Sequence, residues 1–158
     1  METWEIVQLD EEGAHEAARL FWDIVHVVNV RDYSREQLDA WAPEGDACEQ
    51  RLAEKLLGQR AVGVRECGTL IGFGSLDDRG FLDMLYVNKD RQRQGIGSIL
   101  VCALEREARQ RGWRTIGVFS SITARPFFEC MGYAWVSDNV VMRNGVELRN
   151  YRMKKSLG

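Results

Sequence analysis

The chain has 158 residues, 45% of them hydrophobic and 28% charged, with a formal net charge of -3. That composition fits one ordinary soluble domain over residues 1–158 with enough chain to bury a real core. The net negative charge argues against nonspecific nucleic-acid binding, and no apolar run approaches the length of a membrane span.

The N-terminus lacks the charged and apolar blocks of a signal peptide, so the cytoplasm is the expected compartment. Residues 4–9 alternate as a first strand, and Asp10-Glu11-Glu12-Gly13 makes a turn whose acids suit a helix start. Ala17, Leu20, Phe21, Ile24, Val25 and Val28 then recur at helical spacing, leaving Trp22, His26 and Asn29 on adjoining faces. Ser34 with Gln37 forms a capping box for a short helix ending near Trp41, and Pro43 closes it. A third helix runs over 46–57 and stops at Gly58. Strands follow at 60–66, 69–76 and 81–87, joined by tight turns at Cys67-Gly68 and at 77–80.

After the apolar strand, residues 87–98 (VNKDRQRQGIGS) lead straight into an amphipathic helix. Its stripe is Ile96, Ile99, Leu100, Ala103, Leu104 and Ala108, with Glu105, Arg106, Arg109 and Gln110 on the other side and Gly112 as the stop. A strand is expected at 115–119. A terminal hairpin of 133–143 and 147–154 turns at Asn144-Gly145. Cys48, Cys67, Cys102 and Cys130 are too far apart for a zinc clip or a redox pair and read as buried free thiols, so no metal is expected.

The 87–98 run is an anion cradle: two glycines permit close backbone approach, and the first N–H groups of the helix lack internal acceptors. A Walker loop is excluded, because Gly95 and Gly97 are one residue apart and Ser98 follows without a Lys. The dinucleotide fingerprint fits in part only, since Leu100 stands where a third glycine belongs and no acid ends the next strand. What remains is Gln92-x-x-Gly95-x-Gly97 behind Leu85-Tyr86-Val87, which resembles the coenzyme A pyrophosphate loop of the GNAT acyltransferase superfamily. Residues 121–133 (SITARPFFECMGY) are similar to the second signature of that superfamily, Asn-x-x-Ala-x-x-aromatic-Tyr-x-x-x-Gly-aromatic. The likeness covers roughly residues 60 to 153. Asp83-Met84-Leu85, the 121–129 segment and Tyr33-Ser34-x-x-Gln37-x-x-x-Trp41 further resemble a branch of small bacterial N-acetyltransferases.

The resemblance implies a mixed α/β (α+β) fold with a largely antiparallel seven-stranded sheet and helices on both faces. It implies acetyl-CoA as co-substrate, held by Leu85, Tyr86, Val87, Gln92, Arg93, Gln94, Gly95, Ile96, Gly97, Ser98, Ser121, Ala124, Phe127 and Phe128. Main-chain groups of Leu85 and Val87 would pair with the pantetheine amides, as a strand pairs with an added peptide. Phe128 stands where many members carry a Tyr that protonates the departing sulfur, and Ser121 replaces the usual Asn. Water or a hydroxyl from Ser120, Ser121, Tyr33 or Tyr151 is left to substitute. Arg91, Arg93 and Arg125 either face the phosphates or are simply solvated.

Acetyl transfer to an amine needs a base, and Asp83 is the first choice. The two-residue period of a strand places it on one face with Leu85 and Val87, and neighbours Phe81, Leu82, Met84 and Leu85 would desolvate it. The opposing reading is a strand carboxylate paired with a basic neighbour, or one that binds a cationic substrate without moving protons. Trp22, His26, Tyr33 and Trp41 are expected to line an aromatic acceptor pocket suited to a small aromatic or cationic amine. Cys130 is expected to be buried and not nucleophilic. The leading function is an acetyl-CoA-dependent N-acetyltransferase acting on a small-molecule amine by direct attack. The alternatives are acetylation of a protein N-terminus or lysine, and a catalytically weak acyl-CoA binding or sensing module. Monomer and homodimer both stay open.

Overall fold

A computed structural model describes residues 3–158, which contain seven strands and five α-helices. In chain order these are β1 (Trp4–Gln8), α1 (Glu11–Val28), α2 (Arg35–Trp41), α3 (Asp46–Leu57), β2 (Arg60–Glu66), β3 (Thr69–Leu76), β4 (Phe81–Val87), α4 (Ile96–Gln110), β5 (Thr115–Ser121), α5 (Arg125–Cys130), β6 (Ala134–Arg143) and β7 (Val146–Ser156). No helix among the described residues is long and apolar enough to cross a membrane.

Local chemistry sets the ends of these elements. Asp10 accepts the Gly13 N–H at 2.8 Å to start α1. Both halves of the Ser34–Gln37 capping box form at the head of α2, at 2.9 and 3.1 Å. Asn144 and Gly145 both take positive φ, 49° and 76°, as a two-residue turn between twisted strands requires.

The strands form one sheet in the order β1-β2-β3-β4-β5-β7-β6, and every neighbouring pair is antiparallel except β4 with β5. One face is covered by α4, whose Leu100, Val101 and Leu104 are fully buried with Val64, Leu82, Ile116 and Met153. The other face carries α1 and α3, packed through Ala17, Ala53 and Leu56 onto Phe73 and Met84.

The buried arc of α4 is wider than the apolar stripe indicates. Glu105, expected outward, is only 3% exposed. The Tyr133 hydroxyl donates to its Oε2 at 2.8 Å and the Lys155 ammonium to its Oε1 at 3.0 Å, so the buried charge is paired and hydrogen-bonded. Burial, reinforced by Glu105, pushes the Tyr133 phenol above its ordinary range. The cysteines also depart from expectation: Cys67, Cys102 and Cys130 are exposed and Cys48 is half-buried, because Cys102 and Cys130 fall on the outer sides of α4 and α5.

Three hydrogen bonds tie the α1–α2 arm to the terminal hairpin. Gln37 Nε2 donates to Glu147 O at 3.0 Å, Asn144 Nδ2 to Ala40 O at 2.9 Å, and the Tyr33 hydroxyl to Arg149 O at 2.7 Å. Buried Tyr33 also accepts the Ile122 N–H at 2.9 Å, and burial raises its phenol above the ordinary value. A Tyr33→Phe substitution strands two main-chain groups and is expected to cost about 2 kcal/mol, within the range for buried unsatisfied partners. Urea unfolding measures this, and a change below roughly 0.5 kcal/mol would mean that water replaces both bonds.

Candidate active site

β4 and β5 pair at Phe81 with Gly117 and at Leu82 with Val118, and beyond those residues they part. The Phe81 ring lies over Gly117, where a Cβ would come within 2.7 Å of it, and stacks on Phe119 at 5.1 Å. An aromatic pair thus fills the apex of a V-shaped opening through the sheet.

The open edge of β4 has a fixed polarity. Asn88 N–H bonds to Ile71 O at 2.8 Å across the antiparallel β3–β4 ladder. Alternation then turns the main chain of Tyr86 and Met84 toward β3, and that of Leu85 and Val87 toward the opening. Gln92 Nε2 already donates to Val87 O at 2.6 Å, which occupies one of these groups.

Past β4, Arg93 (φ 61°) and Gly95 (φ 91°) both adopt left-handed backbone, and α4 begins at Ile96 without a side-chain cap. Ile99 N–H reaches Gly95 O at 3.0 Å, so the N–H groups of Ile96, Gly97 and Ser98 lack acceptors inside the helix. A Cβ built at Gly95 meets nothing within 4 Å, so the space in front of these donors is open. Gly97 also has a packing role. Its Cβ would lie 3.1 Å from the Phe127 ring, so this glycine lets α5 pack on α4.

The basic residues of the region separate by partner. Arg91 is bound to Glu66 at 2.9 Å. Arg125 sits 4.5 Å over the Tyr151 ring and 3.4 Å from Glu129, while Arg93 and Gln94 are exposed in the loop itself.

Asp83 is not on the face expected for it. Ser75 stands opposite Met84 and Leu76 opposite Leu82, so Asp83 is the extra residue of a β-bulge. The bulge resets the alternation: Leu82, Leu85 and Val87 pack on the α4 side, whereas Asp83 turns to α3. There it is exposed and ion-paired instead of desolvated. Its Oδ2 accepts from Gln59 Nε2 at 2.9 Å and lies 3.2 Å from Lys55 Nζ, and its Oδ1 has no hydrogen-bond partner among the described residues.

Asp83 lines a cleft of about 810 Å³ bounded by α2 and α3 on one side and the β6–β7 hairpin on the other. Tyr33 and Trp41, edge-to-face at 5.2 Å, line it, as do Met84, Tyr86, Phe119 and Ser121. Tyr86, expected among the donor-binding residues, directs its side chain into this cleft, edge-on to Phe21 at 5.0 Å. Burial pushes its phenol up, against a hydrogen bond from Trp41, which keeps it a neutral O–H at physiological pH.

The structure does not bring Trp22 and His26 to that cleft. They stack on each other at 4.3 Å. His26 Nε2 bonds to Ala42 O at 2.8 Å and its Nδ1 lies 3.6 Å from Asp39, which makes it a pin between α1 and the end of α2. Trp22 lines a neighbouring cleft of about 540 Å³ between α1 and the start of α3. Phe128 is buried against Phe127 and Tyr133, at 5.2 and 5.3 Å, away from the cleft lining. Ser121 Oγ accepts the Ala124 N–H at 3.0 Å, which leaves its hydroxyl proton to donate elsewhere.

The profile of the Acetyltransferase (GNAT) domain family matches residues 29–155. The chain belongs to the GNAT acetyltransferase family. It is 30% identical over 135 residues to the uncharacterized N-acetyltransferase YafP of Escherichia coli (strain K12), covering 85% of this chain and 84% of that protein. It is similar to the crystal structure of a GCN5-related N-acetyltransferase from Rhodopseudomonas palustris, with 35% identity, a TM-score of 0.93 and coverage of 99% and 97% of the two chains. The PaiA N-acetyltransferase of Thermoplasma acidophilum, in complex with coenzyme A, shares the fold at 17% identity and a TM-score of 0.81, with 98% and 99% covered.

GNAT enzymes are acyltransferases that use acetyl-CoA. The residues here suit that donor: uncapped N–H groups before an open space fit a pyrophosphate, and the unpaired edge of β4 fits amides of an extended arm. Sequence reasoning missed Arg51, Arg143 and Arg149, which also line the cleft. No local motif marks them, because they come from α3 and from both sides of the hairpin turn. Gly95→Trp is expected to weaken acetyl-CoA binding at least tenfold, since the new side chain would fill the space before the α4 donors. Calorimetric titration checks it, and unchanged affinity would remove the loop from donor binding.

Proposed function

We propose that this chain transfers an acetyl group from acetyl-CoA to the amine of a small molecule by direct attack in a ternary complex. The supporting observation is the junction at the β4–β5 opening: the strand leading to the N–H cradle lies along it, and a walled cleft of about 810 Å³ reaches it from the α3 side. Acetyl-CoA supplies an acyl group activated as a thioester.

The residues of the chain do the rest. N–H groups of Ile96, Gly97 and Ser98 take the negative charge of the pyrophosphate. Main-chain groups of Leu85 and Val87 hold the pantetheine arm, with Val87 O shared by Gln92. A lysine-like amine with a pKa of about 10.4 is neutral in roughly one molecule per thousand at pH 7.4, so a base speeds the reaction. Asp83 is the carboxylate that lines the cleft, and its Oδ1 is open to take the ammonium proton while Gln59 and Lys55 hold Oδ2 in place. Tyr86 and Ser121 hold neutral hydroxyl protons on the cleft wall for a departing thiolate, the role Phe128 cannot perform. The Tyr33 hydroxyl is committed to Arg149 O, and buried Ser120 donates to Ser121 O at 2.8 Å, so neither is free for that task.

A small acceptor fits better than a protein tail, because the Asn144–Ala40 and Gln37–Glu147 bonds join the two walls of the cleft at the hairpin end. Asp83→Asn is expected to lower kcat by about 100-fold or more, in the range of general-base losses, with acetyl-CoA affinity within twofold of wild type. Thiol release in the presence of an amine panel measures the rate. Equal rates in the two proteins would take Asp83 out of the chemistry, and thiol release from neither protein, with the donor tightly bound, would favour a coenzyme A binding module.

A further inference from the structure

The cleft carries a charge imbalance that an aromatic or cationic amine does not explain. Arg51 and Lys55 enter it from α3, Arg143 enters from the hairpin, and among the described residues Asp83 is the one acidic side chain lining it. Lys55 and Asp83 neutralise each other at 3.2 Å. Arg51 and Arg143 have no carboxylate within 4.0 Å among the described residues, although other arginines of the chain, such as Arg19, Arg65 and Arg91, do. The Arg51 guanidinium hydrogen-bonds the Cys48 sulfur at 3.2 Å, whereas Arg149 alternates with cleft-lining Leu148 and Asn150, so its side chain takes the opposite face of the sheet and its main-chain carbonyl reaches the cleft to hold Tyr33. Two uncompensated guanidinium groups therefore face one apolar-floored cleft from opposite walls.

We infer that the acceptor is an amine that also carries an acid group, a carboxylate or phosphonate, which Arg51 and Arg143 bind while the amine lies toward Asp83. This deepens the proposed function and rests on its assignment of the cleft to the acceptor. Guanidinium groups are suited to this recognition because their planar donors match the oxygens of a carboxylate or phosphonate and stay charged at all physiological pH values. The arrangement also sorts the two ends of a bifunctional substrate. The acid is drawn to the guanidinium groups, and the ammonium is drawn to the one carboxylate, at the strand beside the opening. An acceptor with a second cation, such as a polyamine or a lysine-rich peptide, meets repulsion from both walls.

Two measurements test it. In the first, α-amino acids, aminoalkyl phosphonates, the matching amides and esters, and diamines are compared as acceptors by thiol release. The expected result is a kcat/KM at least tenfold higher for an acid than for its neutral counterpart, falling to a ratio near one in Arg51→Gln/Arg143→Gln. A carboxylate preferred over a phosphonate, or the reverse, identifies which acid the site takes. In the second, N-acetyl amino acids and their amides are titrated as product analogues, which reads the cleft without turnover. The acid is expected to bind at least tenfold more tightly than the amide in the wild type, with the difference lost in the double variant and reduced in Arg51→Gln. Neutral amines or diamines acetylated as well as acids would overturn the inference and leave the proposed function standing. Acid and amide analogues bound alike would overturn it whether or not transfer occurs. No thiol release with any amine, together with tight acetyl-CoA binding, would overturn the proposed function itself.

Discussion

Everything that this fold can do chemically depends on two strands that refuse to stay paired. Were β4 and β5 joined along their whole length, the sheet would be a closed wall with α4 on one side and the α3 cleft on the other. The separation starts where Phe81 covers Gly117, and the bulge at Asp83 follows immediately. The same two residues of pairing that hold the strands together also fix the apex, so the opening is narrow where the aromatic pair stacks and wide where the main chain of Leu85 and Val87 is exposed to it. A sheet edge in the middle of a sheet is normally a liability. Here it leaves the main chain of Leu85 and Val87 open to an extended ligand.

The bulge does a second thing that the opening alone would not. It sends Asp83 to the cleft side while Leu85 and Val87 keep their side chains in the α4 core. The Asp83 carboxylate and the main-chain edge thereby belong to one strand but address different sides of the sheet. Gln59 and Lys55, from the end of α3 and the turn after it, fix the carboxylate through one oxygen. The wall opposite is held by the arm-to-hairpin bonds of Tyr33, Gln37 and Asn144, so the geometry of the cleft depends on segments more than a hundred residues apart in the chain.

Much of this was legible in the sequence because it depends on local chemistry. The Ser34–Gln37 box, the Asn144–Gly145 turn, the strand bounds at 60–66, 69–76 and 81–87, and the cradle before α4 each follow from residues a few positions apart. What was not legible depends on partners distant in sequence. A strict two-residue period puts Asp83 with Leu85, and only the mismatch with β3 reveals the bulge. Glu105 reads as a surface acid until Tyr133 and Lys155 are brought to it. His26 and Trp22 sit at plausible positions on α1, yet their contacts are with each other and with Ala42. Gly97 reads as a ligand glycine, and its packing role is invisible because Phe127 comes from the far signature. The arginines of the cleft carried no signal, since a guanidinium becomes informative only when its neighbours are known to lack a carboxylate.

The central claim is that the donor completes the β4 edge at alternate residues. Amide hydrogen exchange on the protein with and without acetyl-CoA tests it most directly. Met84 and Tyr86 amides, turned toward β3, should be protected in both states, whereas Leu85 and Val87 amides should exchange quickly alone and slow by at least tenfold when the donor is bound. Protection spread evenly over residues 84–87, or no change at Leu85 and Val87 under saturating donor, would contradict the account.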